Sequence, residues 1–199
     1  NIQNKQLQRY YKRFDFTKFN ECIKATKNMD CVIICAVVSG GIKVLKKNDF
    51  FNQTLQNINM RSNLFEACRI NNIKNIIWIS SSTVYQPANY SIKENQLDIN
   101  LEPYTIYQSV GWGYRYIEKL AKYYNENHNM HIKILRTTSI YGPYDNFNEE
   151  KSHVMPALIK RALSKENPFI VWGDKNVVRD FIYVEDLVKA VIKLINIKN

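Results

Sequence analysis

Short continuous apolar runs alternate along this chain with longer stretches whose apolar residues recur every three or four positions. Phe16 to Asn28 carries Phe16, Phe19 and Ile23 at helical spacing and predicts a helix ending before Asp30. Cys31 to Val38 is continuously apolar and closes on Ser39-Gly40-Gly41, which reads as a strand buried on both faces of a parallel sheet. Asn52 to Asn71 predicts a long helix with Leu55, Ile58, Leu64, Phe65 and Cys68 on its inner side. Asn75 to Ser80 predicts a second buried strand, and a polar loop from Pro87 to Pro103 leads into a second long helix over Tyr104 to Asn127. His131 to Arg136 predicts a third strand. Beyond the polar stretch Asp145 to Ser152 come a helix over Val154 to Lys165, a strand over Phe169 to Trp172, and a last helix from Glu185 to about Ile195. This alternation predicts parallel βαβ units, hence an α/β, doubly wound sheet. Ligands on such sheets bind outside the carboxyl ends of the strands. Ala36–Gly41, Ser80–Tyr85 and Arg136–Gly142 are therefore expected along one crevice.

Composition narrows the classes. Of the 199 residues, 45% are hydrophobic and 13% aromatic, which excludes wholesale disorder. No apolar run approaches the roughly 20 residues that span a bilayer. Asn1 to Arg13 is polar and basic and lacks the apolar core of a secretory signal. A soluble, cytoplasmic protein without a membrane partner is expected. Cys22, Cys31, Cys35 and Cys68 show no CxxC or Cys/His metal spacing, so reduced cysteines and no metal site are expected. The formal charge of +10 raises nucleic acid as a partner, but the lysines are scattered singly among Asn and Ile instead of forming a stripe. The expectation is a solvated basic surface that favours small acidic ligands, and no nucleic-acid partner.

Two stretches carry candidate chemistry. Ser80-Ser-Ser-Thr-Val-Tyr85 follows the second strand, and Glu102-Pro-Tyr104 opens the second long helix. Alone, a serine cluster at a strand end reads as a loop or helix cap as readily as a site. Together, a hydroxyl from a strand end and a phenol from the next helix are able to converge on one sugar hydroxyl, the phenol taking its proton as hydride leaves for a nicotinamide.

With these stretches, Cys31-Val-Ile-Ile-Cys-Ala-Val-Val-Ser-Gly-Gly41, Tyr141-Gly-Pro-Tyr-Asp-Asn-Phe147, Ser152-His-Val-Met-Pro-Ala-Leu-Ile-Lys-Arg161, Trp172-Gly-Asp174 and Arg179-Asp-Phe-Ile-Tyr-Val-Glu-Asp186 complete an ordered set. In that set the chain resembles the extended short-chain dehydrogenase/reductases of the NAD-dependent epimerase/dehydratase type, most closely GDP-L-fucose synthases and GDP-mannose epimerases. The resemblance implies a Rossmann-like doubly wound parallel sheet, NAD or NADP as cofactor, a nucleoside-diphosphate sugar as substrate, and a homodimer paired through the two long helices. It implies that Ser81 bonds the reacting hydroxyl and that Tyr104 is the general acid/base. Asp15 would contact the adenine, Cys35, Ala36 and Val37 would line the cofactor wall, and Thr137, Thr138 and Ser139 would sit beside the nicotinamide. Ser39, Gly40, Thr83, His153, Arg161 and Arg179 would meet the substrate, with His153 also a candidate acid and Arg179 at the diphosphate. Taken alone, His153 reads as a surface histidine ahead of a helix, Arg179 as a surface charge, and Gly40-Gly41 as a turn.

The sequence departs from the family in three ways. It contains no GxGxxG or GxxGxxG, so a sheet truncated at its N-terminal βαβ unit is expected. An incomplete dinucleotide-binding domain over 1–150 is expected ahead of the start of a small substrate lobe over 151–199, interleaved with the last sheet elements. Gln108 stands where the family's Tyr-x-x-x-Lys places a lysine one helical turn after the tyrosine. A glutamine hydrogen-bonds a ribose but does not stabilise a phenolate electrostatically, so weakened catalysis is expected. Thr83 stands where fucose-synthase-like enzymes carry a cysteine base, and the Ser-Ser-Thr-Val-Tyr pattern resembles UDP-galactose 4-epimerases; oxidation and re-reduction at the sugar C4 is the expected reaction. The alternative expectation is a catalytically impaired pseudoenzyme or truncated fragment that binds a sugar nucleotide or a partner subunit.

Overall fold

The computed structural model describes residues 12–39, 50–148, 152–171, 176 and 178–197. Among them are α1 (Phe19–Thr26), β1 (Cys31–Ile34), α2 (Phe50–Ile70), β2 (Asn75–Ser81), α3 (Gln108–Asn127), β3 (His131–Thr137), β4 (Ser139–Tyr141), α4 (Val154–Leu163), β5 (Phe181–Tyr183) and α5 (Val184–Asn196). Three short 3-10 turns, Ser82–Val84, Glu94–Gln96 and Thr105–Tyr107, punctuate the stretch between β2 and α3.

The first three strands form a parallel sheet in the order β1-β2-β3, in a register that aligns Ile34 with Trp78 and Trp78 with Ile134. Side chains alternate across a sheet. Ile34, Ile76, Trp78 and Ile132 therefore share one face, where they meet Leu64, Phe65, Cys68, Ile117, Ala121 and Tyr124 of α2 and α3. Trp78 stacks on Tyr114 with ring centroids 5.8 Å apart and meets Phe65 edge-on at 6.1 Å. Ile77 and Lys133 face the other way. The Lys133 ammonium donates to the Leu194 and Ile197 carbonyls at the end of α5, at 2.8 and 2.9 Å. Helices thus pack on both faces, the α/β doubly wound arrangement that the hydropathy pattern predicts. Over β1 the α5 side is less covered, and Ile33 is 43% exposed.

Four expectations need correction. The strand expected over Cys31–Val38 leaves the ladder after Ile34, because the Asn57 side-chain amide takes both backbone groups of Val38: it accepts from the N–H at 2.9 Å and donates to the carbonyl at 2.8 Å. Cys35 is accordingly exposed and Cys31 only partly covered. Leu55, expected on the inner side of α2, is 46% exposed. Phe169–Val171 form no strand and are exposed; the later strand is Phe181–Tyr183, paired in parallel with Ser139–Tyr141. This two-stranded sheet joins β4, before residue 150, to β5, after it. The helix expected from Tyr104 begins as a 3-10 turn and becomes α-helical at Gln108. Among the described residues, no helix is long and apolar enough to cross a membrane.

Candidate active site

The parallel register brings the carboxyl ends of β1, β2 and β3 to one rim. Ser81 is the last residue of β2. Its Oγ accepts from the Thr83 backbone N–H at 3.2 Å and the Thr83 hydroxyl at 3.0 Å, capping the turn Ser82–Val84. A hydroxyl that accepts two bonds still owns a proton, so Ser81 retains a donor for an outside oxygen. Tyr104 stands at the entrance to α3 with its ring 51% exposed and tilted against Tyr107.

What holds these two stretches together lies in α3. Gly111 is wedged against both: a Cβ there would sit 2.5 Å from the Pro103 Cβ and 2.6 Å from the Thr83 carbonyl oxygen. The residue before Tyr104 and the residue that bonds Ser81 therefore touch the same point of the helix. One turn on, buried Arg115 clamps the same loops. Its Nε donates to the Val84 carbonyl at 2.7 Å, Nη1 to Leu101 at 2.6 Å and Nη2 to Asp98 at 3.5 Å, with its guanidinium against the Trp112 ring. One turn further, Glu118 accepts from the Ser80 hydroxyl at 2.7 Å and takes Arg136 in a fork. Arg136 Nη1 in turn donates to the Tyr85 hydroxyl at 3.1 Å. The bond to Glu118 and the one to Tyr85 hold the Arg136 guanidinium well above its ordinary pKa, against the opposing effect of burial. Ser81 is thus flanked by anchored neighbours on both sides. The motifs point to Ser81 and Tyr104 but not to this brace.

The other expected residues fall as follows. Gln108 opens α3, and its side-chain amide donates to Glu102 at 3.1 Å, a carboxylate that also receives the Trp112 N–H at 2.7 Å. These two bonds, that of Trp112 first, lower the pKa of Glu102 below the ordinary glutamate value. Thr137 donates its hydroxyl to the Ser80 carbonyl at 3.2 Å, Thr138 follows half-buried, and exposed Ser139 opens β4. Cys35, Ala36, Val37 and Ser39 follow β1 along the rim; Gly40 lies outside the described residues. Asp15 precedes α1, its carboxylate accepting from the Thr17 N–H and hydroxyl at 3.1 and 2.6 Å. His153 is the exposed N-cap residue of α4. Arg161, in the last turn of α4, forks onto Glu166 and lies over the Phe169 ring. Arg179 is exposed just ahead of β5. The structure brings the neighbourhoods of Ser81, Thr83 and Tyr104 together around Gly111, whereas His153, Arg161 and Arg179 belong to the later segment.

On that rim Val37 is 47% exposed beside Ala36, and Asn57 fixes the backbone at Val38. The family model described as NAD dependent epimerase/dehydratase family matches residues 3–199. The chain belongs to that family. GDP-L-fucose synthase of Escherichia coli K12 is 30% identical over 183 residues, covering 87% of this chain and 55% of the relative. GDP-mannose 3,5-epimerase of Arabidopsis thaliana is 29% identical over 189 residues, covering 90% of this chain and 48% of its own length. Among solved structures, a GDP-L-fucose synthetase from Naegleria fowleri bound to NADP superposes with a TM-score of 0.76 at 26% identity, over 89% of this chain and 60% of the other. A UDP-N-acetylglucosamine 4-epimerase from Methanobrevibacter ruminantium gives 0.77 at 28% identity, over 93% and 57%. The fold of this epimerase/dehydratase chain is Rossmann-like, and the chain spans about half the length of the curated relatives it matches.

Proposed function

We propose that this chain carries the acid–base centre of an NAD(P)-dependent nucleotide-sugar epimerase or reductase that works at C4 of a nucleoside-diphosphate sugar. When bound, the nicotinamide supplies the hydride exchange. Ser81 donates a hydrogen bond to the reacting sugar oxygen, and Tyr104 as phenolate takes its proton on oxidation and, then a phenol, returns it on reduction. Cys35, Ala36, Val37 and the Thr137–Ser139 segment form the wall along which the dinucleotide lies, with Asp15 toward its adenine. Thr83 and His153 face the sugar, and Ser39 and Gly40 border it. Arg179 offers a cation to the diphosphate; Arg161 plays a similar part only by exchanging its partner Glu166. The division near residue 150 between cofactor and substrate regions, a cytoplasmic location and pairing of two copies through α2 and α3 belong to the same reading.

The observation that carries it is the shared contact of Thr83 and Pro103 with Gly111, which draws the serine loop and the tyrosine loop onto one helix. Assay of the protein with GDP- and UDP-sugars and NAD(H) or NADP(H) tests it. Turnover is expected, falling by about 10²–10⁴-fold in Tyr104→Phe. No turnover with any of these substrates, or turnover unchanged in Tyr104→Phe, overturns it.

A second reading, a pseudoenzyme that binds the sugar nucleotide without turning it over, is favoured by Gln108, whose amide turns to Glu102 and brings no positive charge to Tyr104. Gln108→Lys separates the two. Activity that appears only in the lysine variant supports the pseudoenzyme, and activity already present in the wild type supports the enzyme.

A further inference from the structure

Gly111, Arg115 and Glu118 follow one another at spacings of four and three residues, which sets them along one side of α3. Gly111 meets the Thr83 carbonyl and Arg115 the Val84 carbonyl, so both act on the chain after Ser81. Glu118 acts on the chain before it. Ser80 is 2% exposed, and its hydroxyl donates to Glu118 Oε1 at 2.7 Å, because a carboxylate only accepts. The Ser80 carbonyl accepts from the Thr137 hydroxyl at 3.2 Å. That carbonyl shares one planar peptide unit with the Ser81 N–H. With the Ser80 side chain and carbonyl both tied, the unit that leads into Ser81 is held in one orientation.

Glu118 is itself held. Arg136, the neighbour of Ser80 across the β2–β3 register, forks onto it, with Nε to Oε1 at 3.0 Å and Nη2 to Oε2 at 2.8 Å. The Arg136 and Glu118 side chains are 24% and 10% exposed. Arg136 Nη1 also donates to the Tyr85 hydroxyl at 3.1 Å and to the Glu94 carbonyl at 3.3 Å, and the guanidinium lies 5.3 Å from the centroid of the Tyr85 ring. The pair thereby ties residue 80 to residues 85 and 94, on the two sides of Ser81. A covered ion pair adds little net stability over apolar packing of the same volume. What a two-bonded fork does add is fixed geometry.

We propose that the Glu118–Arg136 ion pair positions Ser81, acting through Ser80 to keep the Ser81 hydroxyl turned to the reacting sugar oxygen. This inference rests on the acid–base role proposed above for Ser81. The Ser81 oxygen already accepts from the Thr83 N–H and hydroxyl. The direction of its remaining proton therefore follows the backbone at residue 81. A peptide free to rock at Ser80 swings that donor off line while the contacts that bind the sugar nucleotide stay, which lowers kcat and leaves KM.

Ser80→Ala trims one oxygen from β2, cuts the link to Glu118 and leaves Arg136 on its carboxylate. Hydrogen exchange at the Thr83 amide, which bonds the Ser81 oxygen, reads the effect without substrate or cofactor. It is expected to quicken roughly tenfold, with the Ile77 and Ile79 amides unchanged. With the sugar nucleotide that the wild type turns over, kcat is expected to fall by roughly 10–10²-fold at constant KM. Ser80→Thr, which restores the hydroxyl, recovers both readouts. Glu118→Gln, which keeps an acceptor for Ser80 but loses the charge that draws Arg136 into the fork, moves both in the direction of Ser80→Ala. Wild-type exchange at Thr83 in either variant overturns the proposal, as does a wild-type kcat in Ser80→Ala. A wild type without turnover sinks the acid–base reading alone, and the exchange result then decides the positioning.

Discussion

Arg115 and Arg61 are equally deep, at 4% and 3% exposure, and are treated in opposite ways. Arg115 meets three backbone carbonyls and so acts as a staple between loops, whereas Arg61 meets one phenol. Arg115→Met should therefore destabilise the fold by about 3 kcal/mol, since hydrogen bonds to a charged group are worth roughly 1.5–3 kcal/mol and the carbonyls of Val84 and Leu101 lose their donor. Urea unfolding measures it, and a loss below 1 kcal/mol would show that solvent replaces the staple. Arg61 leaves a mark in the sequence: it stands three, four and seven residues before Leu64, Phe65 and Cys68, on the buried stripe of its helix. A charge in an apolar stripe predicts burial but not its partner, because carbonyls and rings from remote segments have no signature in the local pattern. Titration of the thiols gives a second prediction at this scale. Burial, as the leading cause, pushes Cys22 up to about 11 and Cys68 up to about 12, from an ordinary 9.0. Below pH 9 both folded and unfolded thiols keep their protons and the full stability is present; as pH rises from 9 towards 12 the unfolded chain ionises first and stability falls. Tyr124, pushed up by burial and by its bond to Glu66, adds a slope of the same sign. The urea midpoint of the wild type should fall more steeply between pH 8.5 and 11 than that of a Cys22→Ala, Cys68→Ala variant, and parallel curves would refute the assignment.

At the scale of elements, α3 organises the site because one side of it is stripped to glycine. Gly111 lets the helix lie against Pro103 and the Thr83 carbonyl, and neither a proline ring nor a backbone oxygen yields readily. Gly111→Ala is expected to cost about 1–3 kcal/mol by overpacking, and to reduce turnover further by pushing the serine loop from the tyrosine loop. Gly113→Ala is the control: its methyl group meets the mobile ends of Thr54 and Ile58, and the helix propensity gained, about 1 kcal/mol, offsets the crowding. Equal effects of the two on stability and turnover would mean that Gly111 is a packing position with no bearing on the site. The long elements were legible in the sequence: α3 keeps its periodicity over twenty residues, α2 shows an apolar face in its second half at Leu64, Phe65 and Cys68, and Asn75–Ser81 is a sustained buried run. The short ones were not. β4 and β5 have three residues each, too few for a period, and their pairing depends on contact between segments forty residues apart. Phe169–Val171 has the composition of a strand but finds no ladder. The premature end of β1 was hidden for a different reason: Asn57, nineteen residues away, competes for the backbone of Val38. Likewise Ser81 and Tyr104 were readable as motifs and α3 as a helix, while the Gly111 contact and the Arg115 clamp by which α3 gathers their loops were not.

At the scale of the whole molecule, α2 and α3 turn one side to the sheet and another outward, and the outward side carries an apolar strip among polar residues. Leu55 on α2 and Trp112 and Tyr116 on α3 are 46%, 40% and 53% exposed, and the groove between the helices has a volume of about 290 Å³. Two helices from each of two copies, packed in the manner of a four-helix bundle, would bury this strip. A stable pair of this kind needs roughly 1,200 Å² of total buried surface, which two twenty-residue helices per copy are long enough to supply. An isologous contact doubles the effect of each substitution, because every residue appears on both sides of the axis. Leu55→Glu places two carboxylates in the apolar strip and, being exposed in the single chain, leaves its own core intact. Sedimentation at micromolar concentration should give twice the chain mass for the wild type and the chain mass for Leu55→Glu. The urea midpoint of the variant should match that of the wild type diluted until it dissociates. Tyr116→Glu, on the other helix of the same strip, should act in the same direction. A dimer that survives both substitutions would mean that the copies meet elsewhere, and a wild type that sediments as a single chain would leave the strip for a different partner.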